Sequence, residues 1–316
     1  MVSRRTFIAA ALAVIGAGYL LTLAIENEYY FFAGYVVLQF VVLATAWNIL
    51  GGYTGYVNFG AAGFFAVGAY TTIALLKLGE VPIYLVIPAA GLVTGLIGLG
   101  TGYLTMRLRG VYFAIATLAL SVVLETLIAN WDFVGGASGT FVLRPKSVPL
   151  FDSYVTFLFW VMLVLAVIAV VIARFIEHSR FGRGLAAIRD DETAAESMGV
   201  PTLKLKLMST SISGALMGVA GAPFPYYVTY IDPPSAFNLE IAVNAVAMPM
   251  IGGPGTWIGP VIGAVLLATL QQTATVTISS ELNLLIVGVM LVFFVVAAPD
   301  GIVGLYRKLV AKVFKR

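Results

Sequence analysis

The chain has 316 residues, of which 60% are hydrophobic and only 10% are charged, and its mean hydropathy is +1.00. This composition excludes a water-soluble globular domain, in which roughly a quarter of the residues are charged, and it predicts a membrane protein with many spans. The absence of cysteine excludes a disulfide scaffold and a thiolate metal site. A net charge of +3 does not indicate a nucleic-acid partner.

Eight charge-free segments divide the chain into candidate membrane segments. In chain order they cover residues 6–25, 31–76, 81–106, 110–124, 153–173, 207–231, 241–280 and 282–299. The second and the seventh are each long enough for two helices. Each contains a glycine cluster that should break a helix, Gly51-Gly52-Tyr53-Thr54-Gly55 or Gly252-Gly253-Pro254-Gly255-Thr256. The sequence therefore predicts an all-α polytopic membrane protein with ten segments, two of them short half-helices at about 239–251 and 257–272.

The distribution of positive charge predicts the orientation of these segments. With a cytoplasmic N-terminus, 15 of the 18 Lys and Arg residues lie on the cytoplasmic side, and the inverted topology would place only three there. We therefore expect both termini in the cytoplasm, a cytoplasmic loop at 174–206 and an external loop at 131–153. We expect the segments and loops to form one transmembrane domain, residues 1–316, in the inner or plasma membrane of the cell.

Residue types that could carry catalysis are scarce. The one histidine, His178, lies in the predicted cytoplasmic loop, and no Gly-Lys pair exists that could form a phosphate-binding loop. We therefore expect no enzymatic activity, no metal site and no cofactor bound by this chain, which leaves transport, a channel or a scaffold. The candidate residues of an uncharged or weakly charged translocation pathway are Asn58, Glu125, Asn244, Gly252, Gly253 and Gly255.

The cytoplasmic loop at 174–206 contains a short capped helix. Asp190 or Asp191 can cap its N-terminus, Glu192 lies in its first turn, and Gly199 can end it in the left-handed conformation. Such a helix, with acids opposite a small apolar face, is suited to docking into a groove of a soluble partner; a solvated loop without a partner is the alternative. The apolar face would consist of Ala194, Ala195 and Met198. The candidate docking residues are Arg183, Arg189, Asp190, Asp191, Glu192, Glu196 and Gly199.

Six motifs occur in order along nearly the whole chain. They are Asn48-Ile-Leu-Gly-Gly-Tyr-Thr-Gly, Gly63-Phe-Phe-Ala-Val-Gly-Ala-Tyr70, Arg109-Gly-Val-Tyr-Phe-Ala, Asn130-Trp131 with Gly135, Gly136 and Gly139, Gly252-Gly-Pro-Gly-Thr-Trp-Ile-Gly-Pro, and Pro299-Asp-Gly-Ile-Val-Gly-Leu305. Together with the docking loop, they resemble the permease subunits of ATP-binding-cassette (ABC) importers of the branched-chain amino acid type. The external loop and the Arg-Gly-Val-Tyr-Phe motif are more similar to the M-type subunit than to its H-type partner.

The resemblance implies a permease subunit that imports a small polar or zwitterionic solute, in the first place a branched-chain amino acid. It implies two cytoplasmic ABC ATPase subunits, which would use the ATP, a second permease subunit of the H type and an extracytoplasmic solute-binding protein. The sequence departs from the family pattern at the stretch from Gly55 to Ala61 and at Glu125, where the family commonly has an arginine. Two alternatives remain: a urea or short-amide ABC permease, and an autonomous channel or facilitator, which would not need a docking helix.

The predicted orientation can be tested with reporter fusions. Fusions after Arg109, Lys206 and Arg316 should give a cytoplasmic signal, and a fusion near Ser147 should give an external one, because the positive charges concentrate on one side. The measurement is the activity of a phosphatase and of a fluorescent reporter at each position. An external signal after Lys206 would contradict the orientation.

Overall fold

The structure, a computed structural model, describes residues 4–25, 27–79, 81–105, 108, 110–144, 151, 153–277, 282–298 and 300–313. The helices in these ranges are α1 (Arg4–Ala24), α2 (Glu28–Thr54), α3 (Ala61–Gly79), α4 (Ile83–Thr105), α5 (Val111–Ala129), α6 (Tyr154–Glu177), α7 (Arg180–Asp190), α8 (Glu192–Ser197), α9 (Thr202–Gly221), α10 (Phe224–Val228), α11 (Pro233–Ala236), α12 (Leu239–Gly252), α13 (Gly259–Thr277), α14 (Leu282–Ala297) and α15 (Gly301–Val313). Two short strands are β1 (Thr140–Phe141) and β2 (Tyr230–Ile231). Some sequence features discussed above lie outside the described residues, namely Arg109, Pro299, Arg316 and positions 145–150 and 152 of the predicted external loop.

The helices confirm the predicted all-α polytopic class. In the described part of the chain, nine helical segments are long and apolar enough to cross a bilayer, and a shorter apolar helix covers Leu285–Phe294. Two of the nine segments combine neighbouring helices, α9 with α10 and α11 with α12. Ten apolar segments therefore follow one another in the order that the sequence predicts.

Both glycine clusters end a helix. α2 continues through Gly51 and Gly52 and stops at Gly55, which is left-handed with a φ of 79°. α12 stops at Gly252, and the next residue, Gly253, has a φ of 129°. α12 has 14 residues and is short, as predicted, but α13 has 19. It is longer than the predicted half-helix because residues 264–277 contain neither glycine nor proline to break it.

α4 and α9 pack with their backbones in close approach, and glycines on α4 allow it. A Cβ atom built on Gly98 would lie 2.9 Å from the carbonyl oxygen of Thr210, and one built on Gly91 would lie 2.8 Å from the Val219 side chain. The hydroxyl of Ser211 donates to the carbonyl oxygen of Gly95 at 2.9 Å. The α4 glycines thus allow the close helix packing that association in a membrane requires.

α9 also crosses α3 at a glycine pair. A Cβ atom on Gly68 of α3 would lie 2.1 Å from the carbonyl oxygen of Gly218, and one on Gly218 would lie 2.1 Å from Oγ1 of Thr94 on α4. These distances are far shorter than a van der Waals contact, so only glycine fits at either position. α9 is therefore held between α3 and α4 in the centre of the bundle.

Loop segments close the end of the bundle opposite to α7 and α8. β1 pairs with β2 in antiparallel register, with Thr140 opposite Ile231. Arg144 donates from Nε to the carbonyl oxygen of Tyr226 at 2.8 Å. Gly139 lies against the same strand, where a Cβ atom would be 2.5 Å from the Ile231 carbonyl oxygen. The described part of the predicted external loop is therefore fastened to the segment that follows α9.

Substitutions at two glycines of α4 test this packing. Gly98→Val should lower the free energy of unfolding by about 1–3 kcal/mol relative to Gly100→Val, because the new side chain at position 98 collides with α9. Gly100→Val is the control, because a Cβ atom at position 100 meets nothing within 4 Å. Both variants replace glycine by valine in α4, so the effect on helix propensity is the same in both. The measurement is denaturant unfolding in detergent micelles. Equal stabilities of the two variants would contradict the close α4–α9 contact.

Candidate functional site

The candidate docking segment consists of two short helices, α7 and α8, which follow α6. Ser179 caps α7, since its hydroxyl oxygen accepts the N–H of Gly182 at 3.0 Å. Gly182 fits the tight junction between α6 and α7, where a Cβ atom would lie 2.1 Å from the Ile176 carbonyl oxygen. Leu185 and Ile188 are buried and hold α7 against the bundle. The sequence analysis predicted α8 but not α7.

α8 has the predicted cap and the predicted end. The Asp191 carboxylate accepts the N–H of Ala194 at 3.0 Å, which identifies Asp191 rather than Asp190 as the capping residue. Gly199 follows the helix in the left-handed conformation with a φ of 81°. The helix itself, Glu192–Ser197, is about one and a half turns long.

Glu192 differs from the expectation, because its carboxylate points into the bundle and not toward solvent. Its Oε1 atom forms an ion pair with Nζ of Lys206 at 2.6 Å, and the side chains are only 12% and 5% exposed. Its Oε2 atom accepts the hydroxyl proton of Tyr56 at 2.6 Å. Lys206 lies on α9 and Tyr56 in the loop after α2, so this triad of Tyr56, Glu192 and Lys206 joins the docking segment to two parts of the bundle.

The burial of this ion pair determines its energetic role. Removing two charges from water costs about as much as their attraction returns, so the pair itself adds little stability relative to an apolar pair. Removing only one partner leaves an uncompensated buried charge, which costs about 3–5 kcal/mol. Loss of either Glu192 or Lys206 alone would therefore destabilise the junction of α8 and α9, because the other charge would stay buried there.

Tyr56 extends the connection to α5. Its ring packs edge-on against Phe113 of α5, with ring centroids 5.1 Å apart. Leu50 of α2 and Ile188 of α7 belong to the same small buried cluster. Besides its junction with α6, the docking segment is thus connected to α2, α5 and α9.

The two glycine clusters, far apart in sequence, meet beside the docking segment. The Asn48 side chain accepts the N–H of Gly255 at 3.0 Å and donates to the carbonyl oxygen of Thr256 at 3.0 Å. A Cβ atom on Gly52 would lie 2.8 Å from the backbone nitrogen of Gly255, and one on Gly252 would lie 1.8 Å from the Gly259 carbonyl oxygen. The clusters therefore form one contact in which backbone approaches backbone.

Arg189 of α7 lies against this contact. Its Nη1 atom is 3.5 Å from the carbonyl oxygen of Gly52, at the long limit of a hydrogen bond. A Cβ atom on Gly255 would lie 2.8 Å from the same nitrogen, and one on Gly55 would lie 3.2 Å from Cγ of Arg189. Its ion pair with Asp190 is exposed and therefore weak. Arg189 thus packs the docking segment onto the paired glycine clusters.

The remaining predicted docking residues differ in their contacts. Glu196 is exposed but bonded to the bundle, since its carboxylate accepts the hydroxyl proton of Thr202 at the start of α9, at 2.6 Å. Arg183 and Asp190 are exposed. The small apolar face is divided, because Ala195 is buried while Met198 is 85% exposed. Met198 and the exposed polar residues around it therefore form the outward surface of the docking segment.

The predicted pathway residues do not gather in one place. Asn58 is buried in the loop after α2, where its side-chain oxygen accepts the N–H of Gly60 at 2.7 Å. Asn244 is buried on α12 and accepts a hydrogen bond from Gln271 of α13 at 3.1 Å. Glu125 is half-buried on α5, four residues after the buried Ser121. Gly252, Gly253 and Gly255 lie in the glycine contact described above.

Sequence reasoning missed three residues that organise the site. Asn48 and Tyr56 were noted only as parts of motifs, and Lys206 only as one of the cytoplasmic cations. A lysine near the start of a spanning helix needs a partner, which is a signal that could have identified Lys206. No local pattern indicates its partners, since Glu192 and Tyr56 are 14 and 150 residues away from it in sequence. Among the described residues, no group of three His, Asp or Glu side chains could hold a metal ion.

Removing one partner of the buried ion pair tests its role. Lys206→Met should lower the free energy of unfolding by about 3–5 kcal/mol, because Glu192 is left as an unpaired buried charge. Lys308→Met is the control: it breaks an ion pair with Asp300 of the same 2.6 Å length that is mostly exposed, and it should cost under about 1 kcal/mol. Combining Lys206→Met with Glu192→Gln should recover much of the loss. If the costs of the two single variants simply add in a double-mutant cycle, the pair is not coupled.

Comparison with known proteins gives a consistent result. A family model described as branched-chain amino acid transport system / permease component matches residues 29–295. The high-affinity branched-chain amino acid transport system permease proteins LivM of Salmonella typhimurium and Escherichia coli are 27% and 26% identical over 297 residues, covering 86% of this chain and 69% of each relative. A probable branched-chain amino acid transport permease protein, LivH of Methanocaldococcus jannaschii, is 27% identical over 275 residues, 81% of this chain and 86% of the relative. No solved structure is significantly similar.

The family match runs from the first residues of α2 into α14, so it includes the docking segment, the buried triad and both glycine clusters. Together with the nine spanning segments, it identifies a multi-pass protein of the cell membrane. This chain belongs to the family of permease components of branched-chain amino acid transport systems.

Proposed function

We propose that this permease component imports branched-chain amino acids as part of an ABC transporter. Its partners would be two cytoplasmic ATPase subunits, a second permease subunit of the H type and an extracytoplasmic solute-binding protein. The chain itself would bind no cofactor, and the ATPase subunits would use the ATP. The family match over residues 29–295 is the observation that carries this proposal, and the relatives' names supply the solute.

The docking segment would receive the ATPase subunits on its outward surface. That surface combines a protruding apolar side chain, Met198, with the exposed charges of Arg183 and Asp190. An exposed apolar residue within a polar rim is typical of the central contact of a protein interface. The residues that contact the bundle would then transmit movement of the ATPases, because Arg189 lies against Gly52 near the end of α2, and Glu192 and Glu196 are bonded to α9.

The buried triad would carry that movement toward the solute pathway. Tyr56 contacts Phe113 on α5, and Glu125 lies on the same helix twelve residues further on, about 18 Å along its axis. A displacement of α8 would therefore reach α5 and α9 directly. An autonomous channel, the alternative of another class, has no use for such a connection, and this favours the ATP-driven importer.

A substitution on the outward surface tests the docking role. Met198→Glu should weaken binding of the ATPase subunits by about tenfold or more, because a central apolar contact is replaced by a charge. Folding should not change, since the side chain is 85% exposed. Leu143→Glu is the matched control: this residue is 90% exposed but lies in the predicted external loop, so ATPase binding should stay unchanged. The measurement is co-purification of ATPase subunits with each variant.

The same preparations, reconstituted in vesicles with the solute-binding protein, test the solute. Labelled leucine should enter in an ATP-dependent manner in the wild type, and uptake should fall with ATPase binding in the Met198 variant. Excess unlabelled isoleucine or valine should compete and urea should not. Uptake that urea suppresses would indicate the short-amide permease, and uptake without ATP would indicate the autonomous facilitator.

A further inference from the structure

A wholly apolar groove separates the first half of α1 from the rest of the bundle. Its cavity has a volume of about 290 Å³, and all of its lining residues are aliphatic or aromatic. α1 contributes residues between Phe7 and Val14, a length of about 10 Å. The opposite wall comes from α2, α6 and α13. A groove of this length fits within one leaflet of a bilayer, whose hydrocarbon layer is about 15 Å thick per leaflet.

The groove exists because α1 packs tightly on the bundle at only one end. The two buried residues of this helix are Gly18 and Thr22. At Gly18 the helix approaches α6 so closely that a Cβ atom would lie 2.0 Å from the Leu163 side chain. At the other end, the ring of Phe7 meets the edge of Trp257, with ring centroids 5.2 Å apart. Between these two contacts, α1 leaves room for another apolar group.

Positive charge gathers at the Phe7 end of the groove. The guanidinium of Arg174 lies 4.1 Å from the ring centroid of Phe7 and 5.1 Å from that of Trp257, so it lies over both aromatic rings at this end of the groove. Arg4 lies 5.9 Å from the Phe175 ring, and Arg5 is beside it in the first turn of α1. One acid, Glu177, is near as well, and its carboxylate accepts the N–H of Trp257 at 2.5 Å. These three arginines outnumber the acid, so the Phe7 end of the groove, its mouth, carries a net positive charge.

We propose that this groove is a binding site for one anionic phospholipid from the leaflet next to the docking segment. One acyl chain fills the apolar cavity, and the phosphate lies at the mouth against Arg174 and Arg4. Water and a zwitterionic solute are poor occupants, because the walls offer no hydrogen-bonding partner. A bilayer supplies acyl chains to any groove that opens to it, and basic residues between helices at this depth select anionic headgroups.

Trp257 lines the groove and serves as the reporter. The full chain, assembled with its partner subunits, is reconstituted in nanodiscs that contain a small fraction of phosphatidylglycerol or phosphatidylcholine with dibrominated acyl chains. Bromine quenches tryptophan on contact, and the difference between the wild type and Trp257→Phe isolates the signal of Trp257. Brominated phosphatidylglycerol should associate about fivefold more strongly than brominated phosphatidylcholine. Arg174→Gln should reduce that ratio to about one, and Arg174→Lys should largely preserve it.

A second pair of variants tests the cavity without relying on Trp257. Ala11→Phe fills the groove, whereas Ala13→Phe places the same side chain on an exposed position of α1 outside it. Ala11→Phe should abolish the tightly held fraction of spin-labelled phosphatidylglycerol, and Ala13→Phe should not. Equal association of the two lipids with the wild type would overturn the anionic site. Absence of quenching by either lipid, or equal effects of the two phenylalanine variants, would overturn the acyl-chain groove.

Discussion

The close approach of backbones inside the bundle is the constraint on which the rest of the structure depends. In lipid the hydrophobic effect does not drive helices together, so their association relies on van der Waals contact and hydrogen bonds, which require small residues at the interface. Gly98 and Gly218 meet this requirement where α9 crosses α4 and α3. Gly52 meets it where the two glycine clusters touch, and Gly252 meets it where α12 packs against α13. Larger side chains would force these helices apart.

The docking segment is built onto this packed frame by polar contacts. Arg189 lies on the paired glycine clusters, and Glu192 reaches Lys206 on α9, the helix that the glycines hold in the centre. Tyr56 completes the connection to α5. Two kinds of interaction therefore have separate roles: glycine packing joins the spanning helices into one unit, and polar bonds attach the docking segment to it. We infer that a force on α8 is borne by the whole unit and not by one loop.

The sequence was sufficient for those features that arise from local physics. The helix end at Gly55, an aspartate cap at position 190 or 191 and the left-handed Gly199 follow from residue type and position, and the structure has all three, with Asp191 as the cap. It was insufficient for features that depend on distant partners. The inward direction of Glu192 requires Lys206 and Tyr56, and nothing in the acidic pattern of α8 distinguishes it from an exposed acid. α7 was missed because its charged residues resemble a solvated loop until Leu185 and Ile188 are seen to be buried.

The length of α2 has a consequence for where the docking segment acts. Its 27 residues extend about 40 Å, whereas the hydrocarbon layer is about 30 Å thick. Tyr29 and Tyr30, both exposed at its first turn, are suited to the headgroup region on one side of the bilayer. Counted from there, the last turn of α2 emerges from the hydrocarbon layer on the opposite side. We infer that the docking segment meets this helix at the level of the lipid headgroups, where the exposed Arg189 can reach water, while the buried ion pair of Glu192 and Lys206 is enclosed by protein.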